Sequence, residues 1–472
     1  MFLNLFQYKS SLNDLDFILF GNNYSRLSSF ISLFLNLIFF FIYPYLYDFA
    51  YILILFSLFS YSGYIHYKSN LGLIPNFRFF FLASPGFVQC LFWFFSSDSI
   101  RVALLANSYL NSDIFKFVGV ISLVAASSSL VGFSIKPIFF KIKNLKFIVI
   151  KKYRILYLLL FSFFAYWFGS SVGVSLLESS AYATVENNST VKFGTLNVFY
   201  FYFVSLCYIS YMFIKPRKQV QVITSIFVYI FLIFIALRGA RQDPFGIIIV
   251  LFLINYFSTK INFYRKKHLL IFKLMILFWF LTVFTGVLRS EFSFDFLSSI
   301  FSIGSLFFRI NEGFIVFNLD TASMVVGTLN VIPFKILDTG FLLGQSYLDW
   351  IPRTLPSFLY SERPLSLAFE MKHNDSWFGW GGIHENAEAY YNFGILGSIF
   401  VPMIISYFMN SFGKIFIKSK SLFSAIPIVW LIMLPRYTWY QSFALYKSTL
   451  TIFVIITIFT LLLGILNLKN NE

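Results

Sequence analysis

Apolar runs of about 20 residues, the length that crosses a bilayer as a helix, recur from one end of the chain to the other. They centre within residues 28–44, 46–61, 79–96, 114–134, 154–177, 196–214, 221–237, 244–259, 269–288, 393–413, 422–435 and 443–466. Within these runs the apolar residues are continuous rather than confined to one stripe, which points to helices surrounded by lipid and by each other. The pattern predicts an all-α polytopic membrane protein of about twelve spanning helices. Residues 1–288 carry the first nine, 289–392 form a long external loop, and 393–472 carry the last three.

Charge then orients the chain. The connection from Lys136 to Arg154 holds seven basic residues and no acid, and the connections around Lys215–Lys218, Lys260–Lys267 and Lys414–Lys420 are also basic and acid-free. Every second connection is therefore cytoplasmic by the positive-inside rule. His66, Lys68 and Arg78 fall in another cytoplasmic connection, and both chain termini lie on the same side. The net charge of +16 is thus an orientation signal, and nucleic-acid binding has no place in the reading. Lys9, Asp14 and Asp16 interrupt the first apolar patches, so no removable leader is expected.

Composition agrees. Of 472 residues 58% are hydrophobic and 12% charged, about half the charge of a soluble domain. Cys90 and Cys207 lie in separate apolar runs, where they read as packing residues rather than as a disulfide or metal pair. The loop 289–392 differs from the other connections in being long and acidic, with eleven acids against six basic residues. Phe301–Phe308 and Phe314–Leu319 within it are apolar enough for interfacial or re-entrant helices.

Candidate chemistry sits on the external side. Arg238 and Arg241, three apart at the end of the seventh span, can present two guanidinium groups to a phosphate or pyrophosphate. Arg289 closes the ninth span, Arg309 lies in the apolar part of the loop, and Arg436 follows Pro435 at the end of the eleventh span. Each has a simpler reading as a snorkelling or locally paired interfacial arginine. His384 and Glu388 are one helical turn apart if the chain is helical there, and either is a candidate base for activating a hydroxyl at the outer membrane surface. The simpler reading is that Glu385 and Glu388 complement a helix N-terminus. No phosphate loop, serine-hydrolase arrangement or metal-ligand cluster is present, and no nucleotide cofactor or metal is implied.

The many spans, the long late external loop, Arg238-Gly239-Ala240-Arg241 at a helix end, and Glu388-Ala389-Tyr390-Tyr391-Asn392-Phe393-Gly394-Ile395-Leu396-Gly397 entering the next helix resemble the O-antigen (Wzy-type) polymerases. The resemblance implies a GT-C-like plan and a glycosyltransferase in the bacterial cytoplasmic membrane, with its active site facing the periplasm. Repeat units carried on undecaprenyl pyrophosphate would be joined into O-antigen or a related polysaccharide. The partners it implies are the lipid-linked glycans and membrane lipid, with a chain-length regulator and a flippase beside them. Under it Arg238, Arg241 and Arg289 form a pyrophosphate clamp supported by Arg309 or Arg436, and His384 or Glu388 is the base. An O-antigen ligase shares this layout, and a lipid-linked oligosaccharide flippase is a reading from a different class. The flippase predicts charged residues inside the spans.

Overall fold

A computed structural model describes residues 12–21, 26–68, 71–95, 112–137, most of 332–354, 383–418, 422–439 and 445–450, with a few isolated positions beyond them. Nine helices of this part are used below: α1 (Leu12–Phe20), α2 (Arg26–Ile42), α3 (Asp48–Lys68), α4 (Leu73–Phe95), α5 (Ser112–Ser134), α6 (Gln345–Leu348), α7 (Trp350–Thr354), α8 (Glu385–Lys418) and α9 (Ile426–Trp439). The spans expected over 154–288 and the apolar loop segments 301–308 and 314–319 lie outside the described residues. Among the described residues four helical stretches are long and apolar enough to cross a membrane: Arg26–Tyr45, Asp48–Ile65, Lys116–Ser134 and Glu385–Lys418.

Helix α5 is the centre. Every residue from Lys116 to Ser134 is buried, and at 1.5 Å per residue the helix is about 35 Å long, enough to cross the hydrocarbon. Around its whole circumference it carries small residues, Ala125, Ala126, Ser127, Ser128, Ser129 and Gly132, that let neighbouring backbones approach. At Gly132 an added Cβ would fall on the Met403 carbonyl of α8. Asn36 of α2 donates to Ser127 Oγ at 2.6 Å, Asn410 of α8 donates to the Phe133 carbonyl at 2.9 Å, and Ser129 and Ser406 share a hydrogen bond at 2.7 Å. In an apolar medium these bonds fix register where hydrophobic burial discriminates little.

The two ends of the bundle differ. At the basic end Arg26 Nε donates to the Ser134 carbonyl at 3.1 Å, and Lys414 and Lys418 act on Asp16 of α1. At the other end Lys116 Nζ bonds Asp48 at 2.8 Å and the Leu46 carbonyl at 2.7 Å. So α2 and α5 are antiparallel, as alternating spans require.

Helix α8 contains the main departure from a simple bundle. Phe393 (φ −136°, ψ 16°) and Gly394 (φ 61°, ψ −145°) leave helical geometry, and the chain reverses there. Arg78 bonds both Glu385 and Ser406, residues that a straight helix would hold about 30 Å apart. The first limb, 385–392, runs antiparallel to α5, with Tyr390 against Phe117 and Asn386 bonded to the Ile121 carbonyl. The second limb, 395–418, runs parallel to α5 through the 129–406 and 133–410 bonds. Its Leu396, Phe400, Ile404, Phe408 and Phe412, spaced by four, form one exposed apolar stripe.

Reversal inside the bundle would orphan backbone groups. The carbonyls of Tyr391 and Asn392, which would otherwise serve residues 395 and 396, instead accept N–H groups of Leu342 and Leu343 at 3.1 Å each. The segment 341–344 therefore completes the turn. Gly394 occupies a φ/ψ region open essentially to glycine alone. At Gly397 an added Cβ would strike the Ala389 carbonyl across the hairpin.

Candidate functional site

The inner end of the first limb meets α4. Arg78, fully buried in the second turn of α4, makes a two-pronged bond to Glu385 (Nη1–Oε2 3.0 Å, Nη2–Oε1 2.5 Å), and its Nε donates to Ser406 at 2.9 Å. This fork-to-fork geometry satisfies a buried guanidinium that would otherwise be costly. The sequence reading placed Arg78 in a connection. The helix starts at Leu73, six residues before the expected span, and carries the arginine inside.

Beside it, Pro85 shapes α4. A proline has no N–H to give the carbonyl four residues back, so the Phe81 carbonyl is released from the helical ladder. That oxygen accepts Trp439 Nε1 at 3.2 Å, His384 Nε2 at 3.4 Å and the Ser84 hydroxyl at 2.6 Å. His384 Nδ1 in turn accepts the backbone N–H of Asn386 at 3.2 Å, and its carbonyl accepts that of Glu388. A carbonyl can only accept and an amide N–H can only donate, so the ring is neutral with its proton on Nε2. His384 is the N-cap of α8.

Glu388 lies one turn further on, buried, on the side of the segment 341–354. Its Oε1 accepts the Ser346 hydroxyl at 2.8 Å, and Ser346 Oγ accepts Asn392 Nδ2 at 2.8 Å. Asn392 Oδ1 takes the Gly344 N–H at 3.0 Å. The chain Gly344–Asn392–Ser346–Glu388 thus clasps α6 to the first limb of α8. Above it, Tyr347 meets Trp350 edge-on at 4.5 Å and Trp350 stacks on Tyr446 at 4.8 Å. Burial first, then the Glu388 and Glu385 carboxylates and Tyr446, push the Tyr347 phenol well above its ordinary pKa, so it stays protonated. The Tyr347 hydroxyl is buried and has no hydrogen-bond partner among the described residues.

Among the residues singled out from the sequence, His384 and Glu388 come together in this cluster, inside the bundle rather than at its rim. The reason is the reversal at Phe393–Gly394, which turns 385–392 inward. Arg436 lies in α9, whose helix continues past Pro435 to Trp439; its side chain is outside the described residues. Arg238, Arg241, Arg289 and Arg309 also lie outside them. Sequence reasoning passed over Arg78, Ser346, Tyr347 and Tyr446. For Arg78 a signal existed: it stands between Phe77 and Phe79 in an apolar run, where an ionisable residue marks a site or a buried pair. Among the described residues no group of three or more potential metal ligands occurs.

The fold and this cluster define a helical, membrane-embedded protein with a buried polar centre on a re-entrant limb. Compared with models of known families, with characterised proteins and with solved structures, the chain matches none.

Proposed function

We propose that the protein is a membrane glycosyltransferase that polymerises oligosaccharide repeat units carried on undecaprenyl pyrophosphate, with its active centre on the side away from the basic end. The observation that carries this reading is the buried Glu388 carboxylate. It belongs to the stretch 388–397 that bears the resemblance, and it is held by Ser346 beneath Tyr347 and Trp350. A carboxylate in a low-dielectric site, with a free phenol beside it, suits deprotonation of an acceptor hydroxyl. Of the two candidate bases Glu388 is the one we assign, because both ring nitrogens of His384 are occupied as N-cap and Phe81 donor. Arg238, Arg241 and Arg289 remain the proposed pyrophosphate clamp, with Arg309 and Arg436 in support, stabilising charge on the leaving group.

A second reading has a specific observation behind it. Arg78 of α4 and Glu385 of the broken helix α8 put charges inside the bundle, the kind of feature that lines transport paths, and this favours a lipid-linked oligosaccharide flippase more than the sequence did. One experiment separates the two. Deleting the gene in its host should collapse the surface polysaccharide ladder to core plus one repeat unit, and Glu388→Gln or Arg241→Ala expressed at normal level should fail to restore it, while Arg241→Lys restores it in part. Loss of the single unit as well would assign the flippase or ligase. An unchanged ladder would exclude all three.

A further inference from the structure

We propose that the segment bearing α6 and α7 is seated in the bilayer interface, with Phe341, Leu343, Leu348 and Ile351 against lipid. The proposal is independent of the polymerase reading. Its inward side is committed to the protein through Ser346, Tyr347 and Trp350. Its outward side is apolar: Leu343 is 79% exposed, Leu348 60% and Ile351 62%. Leu348 and Ile351, three apart, share one face, while Gln345 and Asp349 satisfy each other on the next at 2.9 Å.

Two further observations name lipid as the occupant. Leu343 has φ 50°, the left-handed region that ordinarily selects glycine or asparagine. The backbone cost is the same in either solvent, but the leucyl side chain, 79% exposed, is unfavourable in water and favourable in hydrocarbon. The patch is also continuous with the exposed stripe of the second limb of α8. Its upper end meets the segment where Phe341 lies over Gly394 and Phe393 over Gly344, and the stripe runs down from Leu396 to Phe412. A lipid-facing stripe and an exposed apolar rim that join without a polar break have one solvent in common.

The test uses the full chain with Cys90→Ser and Cys207→Ser, carrying Leu348→Cys or Ile351→Cys labelled with an environment-sensitive fluorophore, in liposomes at low protein density. Both positions are exposed, so either probe alone suffices if the other disturbs the fold. Brominated phosphatidylcholine is expected to quench the probe, with blue-shifted emission and little quenching by aqueous iodide. Quenching by iodide and not by bromolipid would place the patch in water and overturn the proposal. Insensitivity to both would mean that protein, another part of the chain or a second copy, covers it, and would overturn it equally.

Discussion

At the residue scale the Arg78–Glu385 pair decides the most. Both groups are buried and each is the other's ion-pair partner, Ser406 adding only a neutral bond to Arg78, so removing one leaves an uncompensated charge in a low-dielectric interior. Arg78→Met is expected to cost about 3–5 kcal/mol, and Glu385→Leu a similar amount. The double variant should recover most of the loss, because two apolar side chains strand no charge. Thermal unfolding of the three variants in detergent measures this coupling, and additive losses would show that the pair does not hold the limb. His384 illustrates why roles were harder to read than positions. Its i, i+4 relation to Glu388 is legible in the sequence, but its N-cap role depends on a carbonyl freed by Pro85, 299 residues away in the chain.

At the element scale the turn at 393–394 is the device that brings Glu385 and Glu388 inward. Its two glycines answer separate needs, one a backbone conformation and the other a close approach. Gly394→Ala should destabilise by about 1–3 kcal/mol, and Gly397→Ala, whose new methyl meets backbone carbonyl rather than a yielding side chain, by at least about as much. Gly63→Ala is the control: nothing lies within 4 Å of its added Cβ in α3, so the variant should be neutral or gain up to about 1 kcal/mol of helix propensity. Differential scanning of the three in one detergent ranks them, and a Gly63→Ala loss equal to the others would remove the argument. The spans around 28–44, 46–61, 114–134 and 393–413 were legible because a long apolar run has few alternatives in a membrane, and the runs 79–96 and 422–435 coincide with helices. The reversal was not legible. Hydropathy starts the span at Phe393 and leaves the polar stretch Glu385–Asn392 to the connection before it, so nothing in the pattern folds that stretch back into the bundle, and the N–H groups that complete the turn come from residues 342–343.

At the scale of the whole molecule, the contacts at the two ends of the bundle fix a sidedness that can be measured. In the cysteine-free chain, Lys136→Cys at the basic end and Tyr47→Cys beside Asp48 are both exposed. An impermeant maleimide should label them from opposite sides of sealed vesicles, with Lys136→Cys on the cytoplasmic side. Labelling of both from one side would contradict the antiparallel arrangement of α2 and α5.

The burial of α5 also has a consequence for how the protein is made. Gly132, Ser129 and the Phe133 carbonyl are covered by α8, which follows about 260 residues later in the chain. At ordinary synthesis rates of about 5–20 residues per second, roughly 10–50 s pass between the emergence of α5 and that of its cover. Throughout that interval the serine-lined flank of α5 must wait in the membrane without its final neighbour. Assembly of the centre is therefore a late event, and a ribosome halted before residue 395 leaves behind an inserted intermediate, its central helix open on one side to quality-control proteases and insertion chaperones.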